Sequence, residues 1–274
     1  VAGVVDKVRG LVERLLAVRI VESSVVLAAQ AFLALFPLLI VVYAILPPGA
    51  ASGLDDQVRK KFGLGGQSVD AMNALVVNRS DLRNGISVIG FILVIASATA
   101  FTRALQRVYQ YAWGLPKLGL RGAWRTVIWL FAVVIYLGIA GWLVHLIPSS
   151  ATVALINLLL GFGLWWWTSY LLLGGRVRWR VLAPGAILVA IAQFVVTLVS
   201  VVVLPRAVHS SESAYGPIGV VFAVESWFIV IAGVLVVGAA LGAIMGLDEG
   251  RFGVWIRGTA DPDGWRRVRH KPTA

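Results

Sequence analysis

The chain has 274 residues, 59% of them hydrophobic and 14% charged, with a mean hydropathy of +0.88. A soluble domain carries about 25% charged residues, so this composition fits a bundle of membrane helices instead. The net charge is +11, and the chain has no cysteine, which excludes disulfides, cysteine–zinc centres and thiol catalysis.

Val4, Val5, Val8, Leu11, Val12, Leu15 and Leu16 recur at helical spacing, with Asp6, Lys7, Arg9, Glu13 and Arg14 among them. Residues 1–23 therefore read as a cytoplasmic amphipathic helix lying on the membrane surface or against the base of the bundle. The apolar run that follows comes after charge and exceeds the core of a signal peptide, so it reads as a span. Span one, 24–46, contains Gln30 and Pro37. Proline removes a backbone hydrogen bond, and a kink is expected there. Residues 53–83 carry apolar faces at Leu54, Val58 and Phe62 and again at Val69, Met72 and Leu75. They read as short amphipathic helices on the extracytoplasmic side.

Span two is expected over 84–101. The loop after it, 102–125, holds Arg103, Arg107, Lys117, Arg121 and Arg125 and no acid, with Tyr109, Tyr111, Trp113 and Trp124 suited to the headgroup level. Span three, 126–147, and span four, 152–173, flank a tight Pro148-Ser149-Ser150 hairpin. Span four carries Asn157 and the Trp165-Trp166-Trp167 run. A basic turn, 174–180, leads to span five, 181–204, with Pro184 and Gln193. A polar loop over 206–213 precedes span six, 215–246, and residues 248–274 form a basic tail. The membrane domain is thus 24–247.

Six spans place both termini on one face. That face collects about 18 of the 24 lysines and arginines, and the other face receives Arg59, Lys60, Lys61, Arg79, Arg83 and Arg206. Such a bias is the positive-inside pattern, so both ends read as cytoplasmic. The basicity is then explained by topology, and nucleic acid is not an expected partner. The partners expected are membrane lipids, with anionic headgroups meeting Arg103, Arg107, Arg121, Arg125, Arg176, Arg178 and Arg180 at roughly 1 kcal/mol per basic side chain near the surface.

Span six carries one formal charge, Glu225, about 15 Å from its outer end at 1.5 Å per residue. An acid at that depth costs roughly 2.5 kcal/mol or more, and it is by default a functional residue. Glu225, Gln193 and Asn157 are the candidates for a substrate or proton pathway. The competing reading makes them interhelical hydrogen bonds of about 0.6 kcal/mol each. Gly238, Gly242 and Gly246 repeat every fourth residue, a stripe along which another helix can approach closely. The stripe suits packing within the chain, and a homo-oligomer contact is the alternative.

Three stretches together resemble one family. They are Ser24 through Leu35-Phe36-Pro37, then Ser97 through Arg107 with Ala112-Trp113-Gly114-Leu115-Pro116, and finally Tyr215-Gly216-Pro217-Ile218-Gly219 through Trp227 to Gly238-Ala239-Ala240-Leu241. Their order and spacing resemble the YihY/BrkB family, six-helix inner-membrane proteins of bacteria. The resemblance implies an all-α six-helix transmembrane bundle in the bacterial cytoplasmic membrane. The chain departs from the family pattern twice: Ala240 stands where an acid is usual, and Glu225 stands where members are typically apolar. Some members have carried a ribonuclease label. Nuclease chemistry needs carboxylates or histidines gathered around metal ions. His145, His209 and His270 are scattered, and no metal-ligand spacing, phosphate loop or nucleophile elbow is present. No enzyme activity, metal or cofactor is therefore expected. The expected function is transport or flipping of a lipid or other amphiphile, and the alternative is a non-catalytic scaffold or envelope-assembly partner.

Overall fold

A computed structural model describes residues 19–45, 87–116, 123–146, 150–259, 261 and 263–266. These form seven helices in the order α1 (Ile20–Ile45), α2 (Ser87–Ala112), α3 (Ala123–Leu146), α4 (Ser150–Leu172), α5 (Trp179–Tyr215), α6 (Pro217–Leu247) and α7 (Arg251–Arg257). The only extended pairing among them is a single antiparallel bridge between Val177 and Arg266. Most of the expected N-terminal amphipathic helix and both expected extracytoplasmic helices lie outside the described residues, as does Arg121.

Stretches of α4 (Ala151–Leu172), α5 and α6 are long and apolar enough to cross a bilayer. Shorter apolar stretches occupy Ile20–Leu35 of α1 and Trp124–Val133 of α3. Along α5, Ile187, Ile191, Val195, Leu198 and Val202 leave an exposed apolar stripe. Such a stripe would be costly in water at about 25 cal/mol per Å² and is stable against lipid. The chain is an α-helical membrane protein.

Two boundaries differ from those expected. The loop assigned to 102–125 begins as helix, because α2 runs on to Ala112. The polar loop assigned to 206–213 is the last part of α5, a helix of 37 residues. At 1.5 Å per residue α5 is about 55 Å long, well beyond a hydrocarbon core of about 30 Å. The serines of its polar end stay helical by turning their hydroxyls onto the backbone: Ser210 donates to the Ala207 carbonyl at 3.1 Å, and Ser213 to that of Ser210 at 2.9 Å. Gly216 stops the helix. It has φ +63°, and its N–H donates to the Glu212 carbonyl at 2.7 Å. Pro217 then opens α6, where its missing N–H costs nothing. α1 is helical through Pro37.

The described chain divides into two units. Of the described residues, one comprises 19–24, 102–116, 123–146, 150–194, 233–259, 261 and 263–266, and the other 25–45, 87–101 and 195–232. In the second unit Leu27 and Ala28 are fully buried, and Phe32 meets Phe228 edge-on at 6.4 Å.

The first unit is held by α5 against α6. A side chain built on Gly238 would meet Val189, one on Gly242 would meet Gly185, and one on Gly246 would meet Trp113 and Val181. Residues 181, 185 and 189 of α5 therefore lie against 246, 242 and 238 of α6, both stepping by four in opposite directions. This is ridge-into-groove packing along the four-residue rows, closed to backbone contact at its middle. A Cβ on Gly242 would lie 2.7 Å from the Gly185 Cα. Gly242→Ala is accordingly expected to cost about 1–3 kcal/mol by overpacking. Thermal unfolding in detergent, followed by tryptophan fluorescence, checks this; an unchanged midpoint would mean that the helices have room to part.

In the same unit α3 packs on α4, tied by Trp129 Nε1 donating to Thr168 Oγ1 at 3.1 Å. Gln106 of α2 donates to the Leu172 carbonyl at 3.0 Å. Tyr109 is fully covered and hydrogen-bonded to Ser169; burial pushes its hydroxyl up to about 12 against the pull of that bond, so it is neutral at physiological pH.

Candidate functional site

The end of α4 builds an aromatic column. Phe162, Trp166 and Tyr170 fall on one helical face, each a turn beyond the last. Phe162 stacks on Trp166 at 5.1 Å. Trp179, the first residue of α5, lies 5.0 Å from Trp166 and meets Tyr170 edge-on at 4.7 Å. Trp166 Nε1 also donates to the Trp179 carbonyl at 2.8 Å, so the indole fixes the start of α5.

The basic turn between α4 and α5 is tied down by its own arginines. Arg176 donates from Nε to the Leu173 carbonyl at 2.9 Å and from Nη1 to that of Pro116 at 2.7 Å. Arg178 donates from Nη1 to the carbonyls of Arg257 at 2.9 Å and Gly264 at 3.2 Å. Its own N–H reaches the Trp265 carbonyl at 2.9 Å. The start of the expected tail is thus a folded strap. Trp265 is buried 5.6 Å from Trp113 and covered by the Arg266 guanidinium at 4.9 Å. Arg257 anchors the strap from within: it is 2% exposed, and its Nη1 donates to the Gly246 and Asp248 carbonyls at 2.9 and 2.7 Å. A cation at the C-terminal end of α6 is favoured by the helix dipole and satisfies carbonyls that lack helical partners.

Beside this strap is an open groove of about 430 Å³ lined by Tyr170, Arg178, Trp179 and Arg180. Among the described residues no carboxylate pairs with Arg178 or Arg180, whereas Arg19 pairs with Glu22 and Arg266 with Asp263. Arg180 makes no hydrogen bond to any described residue. The groove holds two guanidinium charges with no anion from the described residues.

The other expected headgroup contacts divide. Arg103 and Arg107 are exposed on the extension of α2. Arg125 lies 5.4 Å over its neighbour Trp124. Arg176 is turned onto carbonyls. Sequence reasoning singled out neither Tyr170 nor the strap residues Arg257 and Trp265. Tyr170 was legible as the third member of the Phe162–Trp166 face.

The expected pathway residues fall in both units. Asn157 on α4 and Gln193 on α5 belong to the first, and Glu225 on α6 to the second. Glu225 is eight residues past Pro217, about 12 Å along the helix. Its side chain is half-buried, and its Oε2 is covered without a hydrogen-bond partner among the described residues, as is Oδ1 of Asn157. Among the described residues no cluster of three metal-ligating side chains occurs.

The family described as Virulence factor BrkB matches residues 11–251 of this chain. No curated protein and no solved structure gives a match.

Proposed function

This chain belongs to the Virulence factor BrkB family, and on that premise we propose that it is a six-span protein of the bacterial cytoplasmic membrane that moves a lipid or other amphiphile across the bilayer. Both termini then lie in the cytoplasm, as the distribution of lysine and arginine favours. The observation that carries the proposal is Glu225. It is the one ionisable residue in the 31 residues of α6, and its Oε2 is covered with no partner among the described residues. A packing element gains nothing from a carboxyl that costs roughly 2.5 kcal/mol or more to place in a membrane. A transporter uses such a group to take up and release a proton or to meet a polar headgroup in transit.

The second reading, a scaffold for envelope assembly, is favoured by the close α5–α6 packing, which makes that part of the bundle solid. Reconstitution separates the two. The purified chain in vesicles carrying a fluorescent lipid in both leaflets is expected to expose inner-leaflet label to a membrane-impermeant quencher faster than empty vesicles do. Equal rates, with and without an imposed pH gradient, would leave the scaffold as the better account.

A further inference from the structure

We infer that the groove between Tyr170, Arg178, Trp179 and Arg180 binds the phosphate of an anionic amphiphile; this rests on the reading of the chain as an amphiphile-handling membrane protein. The argument begins with Arg178. Both hydrogens of its Nη1 are committed to the carbonyls of Arg257 and Gly264. Those two bonds hold the guanidinium still and leave Nε and Nη2, the side of the fork that takes two oxygens of one phosphate. No described residue claims them. Arg180, two residues on and also lining the groove, adds a second guanidinium with no acceptor among the described residues. Two like charges with no counter-ion repel each other, and a phosphate between them removes that repulsion.

The remaining walls choose the kind of phosphate compound. Trp179 and Tyr170 present an edge-on aromatic pair, and Trp179 is 37% exposed. Aromatic surface of this kind suits the boundary between headgroup and hydrocarbon, where one end of the ring is apolar and the other wet. A free phosphate ion has no apolar part to place against it; the glycerol and first acyl carbons of a lipid do. The volume, about 430 Å³, is within the range of about 300–1,000 Å³ typical of small-molecule sites. It accommodates a headgroup with the acyl chains left in the bilayer.

The test is titration of the full chain in non-ionic detergent, read by native mass spectrometry, with phosphatidylglycerol, phosphatidylcholine and inorganic phosphate as separate probes. Saturable binding of one phosphatidylglycerol, tighter than that of phosphatidylcholine, is expected. Arg180→Gln is expected to weaken it by about tenfold, as loss of one charge-assisted hydrogen bond implies. Arg178→Lys keeps the charge but loses the fork, and a similar weakening is expected. Arg180 has no hydrogen bond or ion pair to a described residue, so its replacement is not expected to threaten folding. Equal binding of the two lipids, or undiminished binding by Arg180→Gln, overturns the site. Displacement of the lipid by inorganic phosphate would assign the groove to a soluble phosphate compound and overturn the amphiphile. Arg180-dependent lipid binding in a protein that moves no lipid between leaflets would sink the transport reading and keep the site. Transport with no such binding would do the reverse.

Discussion

Arg257→Ala is expected to destabilise the protein by about 3 kcal/mol or more, the largest effect of any single truncation in the strap. The side chain is 2% exposed and supplies donors to the Gly246 and Asp248 carbonyls. Removing it strips donors from two carbonyls at the C-terminal end of α6 and empties the space the guanidinium filled. Each covered carbonyl left without a donor costs about 1–3 kcal/mol. The loss also spreads, because the backbone carbonyl of Arg257 is one of the two acceptors that orient Arg178. The strap is therefore expected to open before the helices separate. Tryptophan fluorescence during heating in detergent reads the stability, and limited trypsin digestion after the exposed Arg266 reads the strap, whose backbone must open before it is cut. Lysine at position 257 is expected to recover only part of the loss, since one ammonium has neither the reach nor the planar fork of a guanidinium. Unchanged melting and unchanged digestion in the alanine variant would show that Arg178, the Val177–Arg266 bridge and Trp265 hold the strap without the Arg257 side chain.

How far the sequence foretold this arrangement differs between elements. Spans four and six were legible within a few residues because their apolar runs end where the helices end. The ends of α2 and α5 were not. There a change from apolar to polar residues was read as the end of a helix, whereas it marks only a change of surroundings. Backbone hydrogen bonding continues through polar residues until something stops it. What stops it is the glycine in left-handed conformation, Gly114 at φ +59° after α2 and Gly216 at φ +63° after α5. Those positions were visible in the sequence as turn residues and were the better guide.

The site was legible as a composition and not as a geometry. Clustered arginine and tryptophan at the ends of the spans pointed to the region in which the groove lies. Nothing in the composition distinguished Arg176, which is turned onto carbonyls, from Arg180, which faces a groove. Arg257 was hidden for a related reason. On α7 the polarity is inverted: Trp255 is 71% exposed and Phe252 47%, while the arginine is buried. A helix read by the rule for soluble proteins would be turned the wrong way round. The glycine stripe, by contrast, told its own story, because only backbone approach uses three glycines spaced by four.

Glu225→Gln is the second substitution with a large expected effect, and it bears most directly on what the protein does. Glutamine keeps the length and polarity of the side chain and cannot exchange a proton. The fold should therefore be spared: Glu225 Oε2 has no hydrogen bond to lose, and a neutral amide enters a membrane at lower cost than a carboxylate. Transport that uses the carboxyl should not be spared. In vesicles carrying labelled lipid, the unaltered chain is expected to speed translocation and to respond to a pH gradient, and Glu225→Gln, inserted in equal amount and melting at the same temperature, is expected to behave like empty vesicles. Translocation by the glutamine variant at the full rate would contradict the account.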